Sequence, residues 1–324
     1  RFIHYLYTRE DTTGINHNHI YCIHQDQSGI LWIGTSGGGL NKMVINQENI
    51  AVFSHFRHHP RNPGSISNDN IQCIKEDSCG NIWIGTENGL NLLPRDQKNT
   101  KNPTFTRFHH HPDDPGSLSH NNITAMDIDR KGILWIGTSG GGVTGMDIRD
   151  SVKKPNIVFC YRHDPSHLAS LSSDIIKTIV QTPSGTLWIG TDEGLNRFNP
   201  DTGSFIPYTH NVMDSQSLSN NLIESMYEDR TGIVWIGTYG GGINKHDPYR
   251  KKFKSYSLVS ENNPVPGSTD NTIWSISIYQ DFSGNRKTVW VGTNGGLITL
   301  LLDENNTITS PQISYHHDPG DPES

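Results

Sequence analysis

A phrase built on Trp-Ile-Gly-Thr recurs along the whole chain, and no other feature narrows the fold as far. It reads Leu-Trp-Ile-Gly-Thr-Ser-Gly-Gly-Gly-Leu at 31–40, Ile-Trp-Ile-Gly-Thr-Glu-Asn-Gly-Leu at 82–90 and Leu-Trp-Ile-Gly-Thr-Ser-Gly-Gly-Gly-Val at 134–143. Further copies stand at 187–195, 234–243 and 289–297, the last with Val291 in place of isoleucine. The tryptophans Trp32, Trp83, Trp135, Trp188, Trp235 and Trp290 are spaced 51, 52, 53, 47 and 55 residues apart. A long, regular period means that one supersecondary unit is copied and buries its apolar surface against the next copy.

Each copy reads as four short strands. A run such as Asn70-Ile71-Gln72-Cys73-Ile74 comes first. A tight turn follows: 26–29, 77–80, 129–132, 229–232 and 281–284 all have Asp first and Gly fourth. Asp bonds its own backbone two residues on and Gly supplies positive φ, so these are hairpin turns. The fourth copy has Thr182-Pro183-Ser184-Gly185 and lacks the Asp. The β-branched run ending in Trp-Ile-Gly-Thr is the second strand, 196–199 a third and 204–208 a fourth. Four antiparallel strands per repeat is the pattern of a propeller blade, and helical periodicity is missing. The fold class is therefore all-β, a β-propeller of four-stranded antiparallel blades, with strands A to D running from the innermost to the outermost.

Six complete blades are expected at about 18–57, 70–108, 122–162, 175–209, 222–257 and 272–316, with 1–324 as one propeller. Phe2-Ile3-His4-Tyr5-Leu6-Tyr7 reads as one more strand D without its own A to C. The parent ring is accordingly expected to have seven blades, closed by this N-terminal outer strand; a ring of six with a spare strand is the alternative. The chain opens on Arg1 with no signal peptide, which reads as a piece cut from a longer parent. The tryptophans are expected between blades. Cys22, Cys73, Ala125, Thr178 and Ser225 share one strand-A position where space is short, so the two cysteines read as small core residues.

Only 32% of residues are apolar and there are 32 Gly and 17 Pro, a composition of many strands and turns. No apolar run is long enough to span a membrane. Net charge is −7, from 26 basic and 33 acidic side chains, so the basic footprint that nucleic acid requires is missing. Four cysteines are too few for a disulfide framework.

The pattern Asp-x-x-Gly-x-Leu-Trp-Ile-Gly-Thr-x-Gly-Gly-Gly-Leu, preceded by His-Asp-Pro and Ser-Leu-Ser as at 163–165 and 170–172, resembles the two-component regulator propeller repeat. The resemblance covers essentially the whole chain. It implies the extracytoplasmic sensor region of a bacterial hybrid two-component system, on the periplasmic or extracellular side of the cytoplasmic membrane. It further implies an oligosaccharide ligand released from glycans. Partners implied in the same parent chain are an adjacent propeller or immunoglobulin-like domain and a downstream histidine kinase, with a homodimer and membrane attachment through that parent.

Strand directions place the A–B and C–D loops on one face, and the B–C and D–A loops on the other. The second face carries Ser36, Glu87, Ser139, Asp192, Tyr239 and Asn294 at one equivalent position, just after Gly-Thr. Their chemistry varies while their neighbours repeat, which is what an asymmetric recognition surface on a rigid scaffold requires. These are the expected ligand-binding residues: the polar groups suit sugar hydroxyls, and Tyr239 suits a pyranose face. The long D–A loops at 57–70 and 108–121 flank them. The Gly triplets lack the Lys-Ser/Thr and helix of a phosphate loop. His58-His59, His109-His110-His111, His163 and His316-His317 occupy repeated positions that hold them apart, so no metal and no cofactor is expected. No catalytic residue is assigned. The alternatives are a propeller lyase with a His base, and a protein-interaction scaffold.

Overall fold

Short strands with a turn every few residues pair most readily with their sequence neighbours. The computed structural model shows that pairing over the residues it describes: 3–9, 13–149, 156–247, 252–256, 272–280, 287–303 and 308–315. It contains six four-stranded antiparallel sheets, each ordered as in the sequence. The chain divides into two compact units. One, Ile3–Arg162 with Asp174–Ile176, holds blades one to three. Their strands are β1–β4 (Ile20–Gln25, Leu31–Thr35, Leu40–Ile45, Ala51–Phe56), β5–β8 (Ile71–Glu76, Ile82–Thr86, Gly89–Leu93, Thr106–Phe108) and β9–β12 (Ile123–Ile128, Ile133–Thr138, Val143–Asp147, Asn156–Tyr161). The other, built from His163–Ser173 and Lys177–Ser324, holds the rest. Its strands are β13–β16 (Ile176–Gln181, Leu187–Thr191, Gly194–Asn199, Ser204–Tyr208), β17–β20 (Ile223–Glu228, Val234–Thr238, Gly242–Asp247, Lys252–Tyr256) and β21–β24 (Ile273–Gln280, Lys287–Thr293, Gly296–Leu302, Ile308–Tyr315). These are blades of the β-propeller fold. The turn at 281–284 and His316-His317 lie outside the described residues.

Ile3–Tyr7 is not a strand in this structure. A strand D needs a free strand C edge beside it, and among the described residues each strand C already pairs with its own strand D. The segment instead sets the Tyr5 ring edge-on to Phe53, with centroids 5.6 Å apart.

The core lies between blades. In the first unit Trp32 and Leu40 of blade one pack on Ile71, Ile74, Ile82 and Ile84 of blade two. Trp83 and Leu90 then pack on Ile123, Met126, Leu134 and Ile136 of blade three. In the second unit Trp188 meets Ile223, Met226 and Ile236, and Trp235 meets Ile273, Val289 and Val291. Trp32, Trp83, Trp188 and Trp235 thus fill inter-blade space, as expected of the repeat.

The tight-turn aspartates do more than shape the turn. Asp26 is buried, and its Oδ1 accepts the N–H groups of Ser28 and Ile30 at 2.9 and 3.0 Å. Its Oδ2 accepts the Trp32 indole N–H at 3.0 Å. The indole bond recurs from Trp83 to Asp77, from Trp135 to Asp129 and from Trp235 to Asp229, at 3.0 to 3.3 Å. Each carboxylate satisfies both its own turn and the one polar atom of a buried indole, which would otherwise be costly to bury. In blade four Thr182 Oγ1 accepts the Thr186 N–H at 2.9 Å, but a hydroxyl has no second oxygen to offer the indole. Blade two brings a cation to the blade-one turn: Lys98, next to the 3-10 turn Arg95–Gln97, donates to Asp26 Oδ2 at 3.1 Å and to Glu76 Oε1 at 2.7 Å.

The Gly of Trp-Ile-Gly-Thr is a steric requirement. A Cβ at Gly34 would stand 2.5 Å from Cys22 Sγ and 2.7 Å from Ile71 of the next blade, and one at Gly85 would meet Cys73 and Ile123 in the same way. The glycine therefore makes room for the next blade's first strand and not for the indole ring. Ser275 extends the small-residue position to blade six.

Asp26 is held at about 2: burial pushes its carboxyl up, but hydrogen bonds from Ser28, Trp32, Lys98 and Ile30 outweigh it. A depressed carboxylate contributes stability that is present above its ordinary value of 3.8 and lost as pH falls toward 2. Urea unfolding from pH 6 to pH 2.5 is expected to show this loss, about 2 kcal/mol from Asp26, with a shallower dependence in Asp26→Asn. Thr182→Asp, which supplies blade four with the missing indole acceptor, is expected to raise stability by about 1 kcal/mol in the same assay.

Candidate functional site

The face carrying the B–C turns is set by a hydrogen bond that repeats from blade to blade. In four blades the N–H after Gly-Thr donates to a carbonyl just before strand A: Ser36 to His19, Glu87 to Asn70, Ser139 to Asn122 and Tyr239 to Leu222. Immediately beyond that carbonyl, strand A bulges. Register shifts at Ile20/Cys22, Ile71/Cys73, Ile223/Ser225 and Ile273/Ser275 leave Tyr21, Gln72, Glu224 and Trp274 as the extra residues. In blade three the shift falls opposite Thr124. A bulge re-aims a side chain, and these positions are as varied as the ones after Gly-Thr. Lys177 holds the corresponding place in blade four.

The two sets of variable residues meet. In the first unit Glu87 accepts from Asn70 Nδ2 at 2.5 Å and from Gln72 Nε2 at 3.2 Å. Ser36 and Ser139 are half-buried, and Thr124 Oγ1 donates to the Ile176 carbonyl at 2.6 Å. In the second unit Trp274 Nε1 donates to Asn294 Oδ1 at 2.7 Å, and the Trp274 ring lies edge-on to Tyr239 with centroids 6.2 Å apart. Both aromatics are half exposed, Tyr239 at 49% and Trp274 at 50%. Lys177 and Glu224 form an ion pair at 3.7 Å. Asp192 Oδ1 is buried with no hydrogen-bond partner among the described residues. Of the six expected residues, Tyr239 and Asn294 are therefore brought together, and the group that joins them is Trp274. Trp274 is not among the six residues expected from the sequence. Its place beside the B–C turn follows from the bulge.

The D–A loops are framework. The Ile or Leu between their two serines is buried: Ile66, Leu118, Leu171 and Leu218 are 0 to 1% exposed. The ring Nδ1 atoms of His58, His110, His163 and His210 each face a carbonyl, of Ile66, Leu118, Leu171 and Leu218, at 2.5 to 2.9 Å. A carbonyl only accepts, so each ring donates from Nδ1. The second serine ties the loop to the B–C turn. Ser67 takes the Asn91 Oδ1 on its N–H at 2.8 Å, with its hydroxyl 2.9 Å from that of Thr86, and Ser172 and Ser219 repeat the arrangement. Among the described residues no three His, Cys, Asp or Glu side chains converge as a metal site, and no helix is long and apolar enough to cross a membrane.

The family model "Two component regulator propeller" matches residues 14–37, 65–88, 117–140, 170–193 and 217–240. Histidine kinase P4 of Formosa agariphila is 28% identical over 185 residues, 56% of this chain and 12% of the kinase. The extracellular domain of a putative hybrid two component system from B. thetaiotaomicron superposes over 99% of this chain at 22% identity, with a TM-score of 0.67. The chain spans 35% of that protein's length. Virginiamycin B lyase from Staphylococcus aureus aligns at 13% identity with a TM-score of 0.58, over 91% of this chain and 85% of the lyase. At these identities the structural likenesses establish the fold.

The strand-A residues that follow the bulges point the other way, into the blade. Burial pushes the Cys22 thiol up and the Cys73 thiol up to about 12, so neither is a thiolate near neutral pH. Cys79 and Cys160 are exposed. A thiol reagent at pH 8 is expected to modify Cys79 and Cys160 in the folded protein, and Cys22 and Cys73 only after denaturation.

Proposed function

We propose that the chain, five segments of which match the two component regulator propeller model, is the ligand-sensing propeller of a membrane-anchored two-component regulator. It acts outside the cytoplasm and performs no chemistry of its own. Its parent protein passes the signal to a histidine kinase, through an adjacent propeller or immunoglobulin-like domain and a homodimer. The ligand is an oligosaccharide derived from a glycan. The observation that carries this reading is the Tyr239–Trp274–Asn294 cluster: two half-exposed aromatic rings locked by an indole-to-amide hydrogen bond. Aromatic faces pack on the C–H face of a pyranose, and neighbouring amides and carboxylates bond its hydroxyls. Asp192 brings an unpartnered carboxylate oxygen, and Ser36, Glu87 and Ser139 present polar groups at the equivalent turns of the other unit. A bound sugar shifts the receptor between states only by its differential affinity for them, so the signal is a change in packing against a neighbouring domain.

Calorimetric titration with a panel of defined oligosaccharides, with and without chelator and with analysis of the sugar afterwards, tests this. Saturable binding of a sugar recovered unchanged is expected, weakened about tenfold or more by Trp274→Ala or Tyr239→Ala. Turnover of the sugar overturns the reading in favour of a lyase or hydrolase. Binding that ignores both substitutions removes the cluster from the site, and no binding at all favours a protein-interaction scaffold.

A further inference from the structure

The groove between the A–B turns of blades one and two is filled, and the matching groove between blades two and three is open. In the first, the N–H of Gln27, second residue of the blade-one turn, donates to Glu76 Oε2 of blade two at 2.8 Å. Lys98 closes that groove on the other oxygen of the same carboxylate. In the second, Ser78 stands where Gln27 does and Ile128 where Glu76 does. The Ser78 N–H therefore has no acceptor among the described residues. A cavity of about 350 Å³ occupies this place, on the face opposite the B–C turns. Its wall combines Ser78 and Ile128 with Arg130, Lys131, Ile148 and Arg149. The three cations are exposed. Arg149 is held by Asp147, which takes its Nε at 3.0 Å and its Nη2 at 2.5 Å and leaves the Nη1 donors. The carboxylates of the wall are already engaged: Asp77 and Asp129 each give one oxygen to turn N–H groups and the other to an indole.

We propose that this cavity binds a small carboxylate ligand, a free organic acid or an acidic monosaccharide. The carboxylate accepts the Ser78 N–H as Glu76 accepts that of Gln27, and Arg130, Lys131 and Arg149 neutralise it. The ligand class follows from that internal precedent together with the change of charge in the wall. Where blade two supplies its own carboxylate, blade three supplies isoleucine and cations. A backbone N–H flanked by cations selects an anion, and charge-assisted hydrogen bonds make the selection strong. The chain carries −7 overall, so three cations around one cavity are a local reversal of its charge. The site lies within the first unit, apart from the Tyr239 cluster, and requires no oligosaccharide.

Citrate and glucuronate are titrated calorimetrically into the full chain at fixed ionic strength, with phosphate and neutral glucose alongside. Saturable binding of one or both acids is expected, and the tighter of the two identifies the source of the carboxylate. Ser78→Pro removes the N–H, and blade four already carries Pro183 at this turn position, so the turn accommodates the ring. That variant, and the pair Arg130→Ala with Lys131→Ala, are each expected to weaken the acid about tenfold or more. Without ligand their Tm is expected to stay within about 2 °C of the parent chain. Phosphate binding as tight as that of the acids overturns the proposal, and so does acid binding that survives Ser78→Pro, because the cavity is then a general anion patch. Absence of acid binding also overturns it, whatever the outcome of the oligosaccharide titration.

Discussion

The bond from the strand-B indole to the turn aspartate joins the two things a blade must do. It closes the A–B hairpin, since the same carboxylate caps the turn N–H groups. It also fixes the ring that fills the gap to the next blade. Asp26, Asp77 and Asp229 are 3 to 4% exposed, and a carboxylate so deep is tolerated because both of its oxygens accept hydrogen bonds. Turn and packing are therefore coupled through one residue six positions before the tryptophan. Blade four, with Thr182, keeps the turn and gives up the coupling.

With the blades locked this way, close approach at Gly34 and its counterparts becomes possible. The first strand of the next blade presses its isoleucine onto that glycine, and the small residue of the glycine's own blade fills the other side. This leaves strand A with an extra residue at its start. The extra residue cannot point into the filled space, so it turns out beside the B–C turn. The candidate site is thus a by-product of core packing: the constraint that makes Cys22, Cys73 and Ser275 small also presents Tyr21, Gln72 and Trp274.

The D–A loops show how length misleads as a guide to function. In each of four loops one histidine, the two serines and the Ile or Leu between them are committed to loop carbonyls, to the B–C turn and to the core. What varies freely on this face is two positions per blade, one after Gly-Thr and one at the bulge. A surface assembled from such pairs differs from blade to blade, which is what recognition of an asymmetric ligand needs.

The repeat spacing, the Asp-x-x-Gly turns and the tryptophan position by themselves determined the blade, its strand order and the inter-blade place of the indole, because each is a local pattern with one geometric solution. They also placed Tyr239 and Asn294 on a common face, since strand direction alternates. Only the tertiary structure decided that Trp274 joins them, because a bulge is a mismatch between two strands and leaves no mark in either one. It alone decided that Asp26 meets Trp32 through its second oxygen. The same holds for Lys98 meeting Asp26, 72 residues away, since neither charge announces its partner in the sequence.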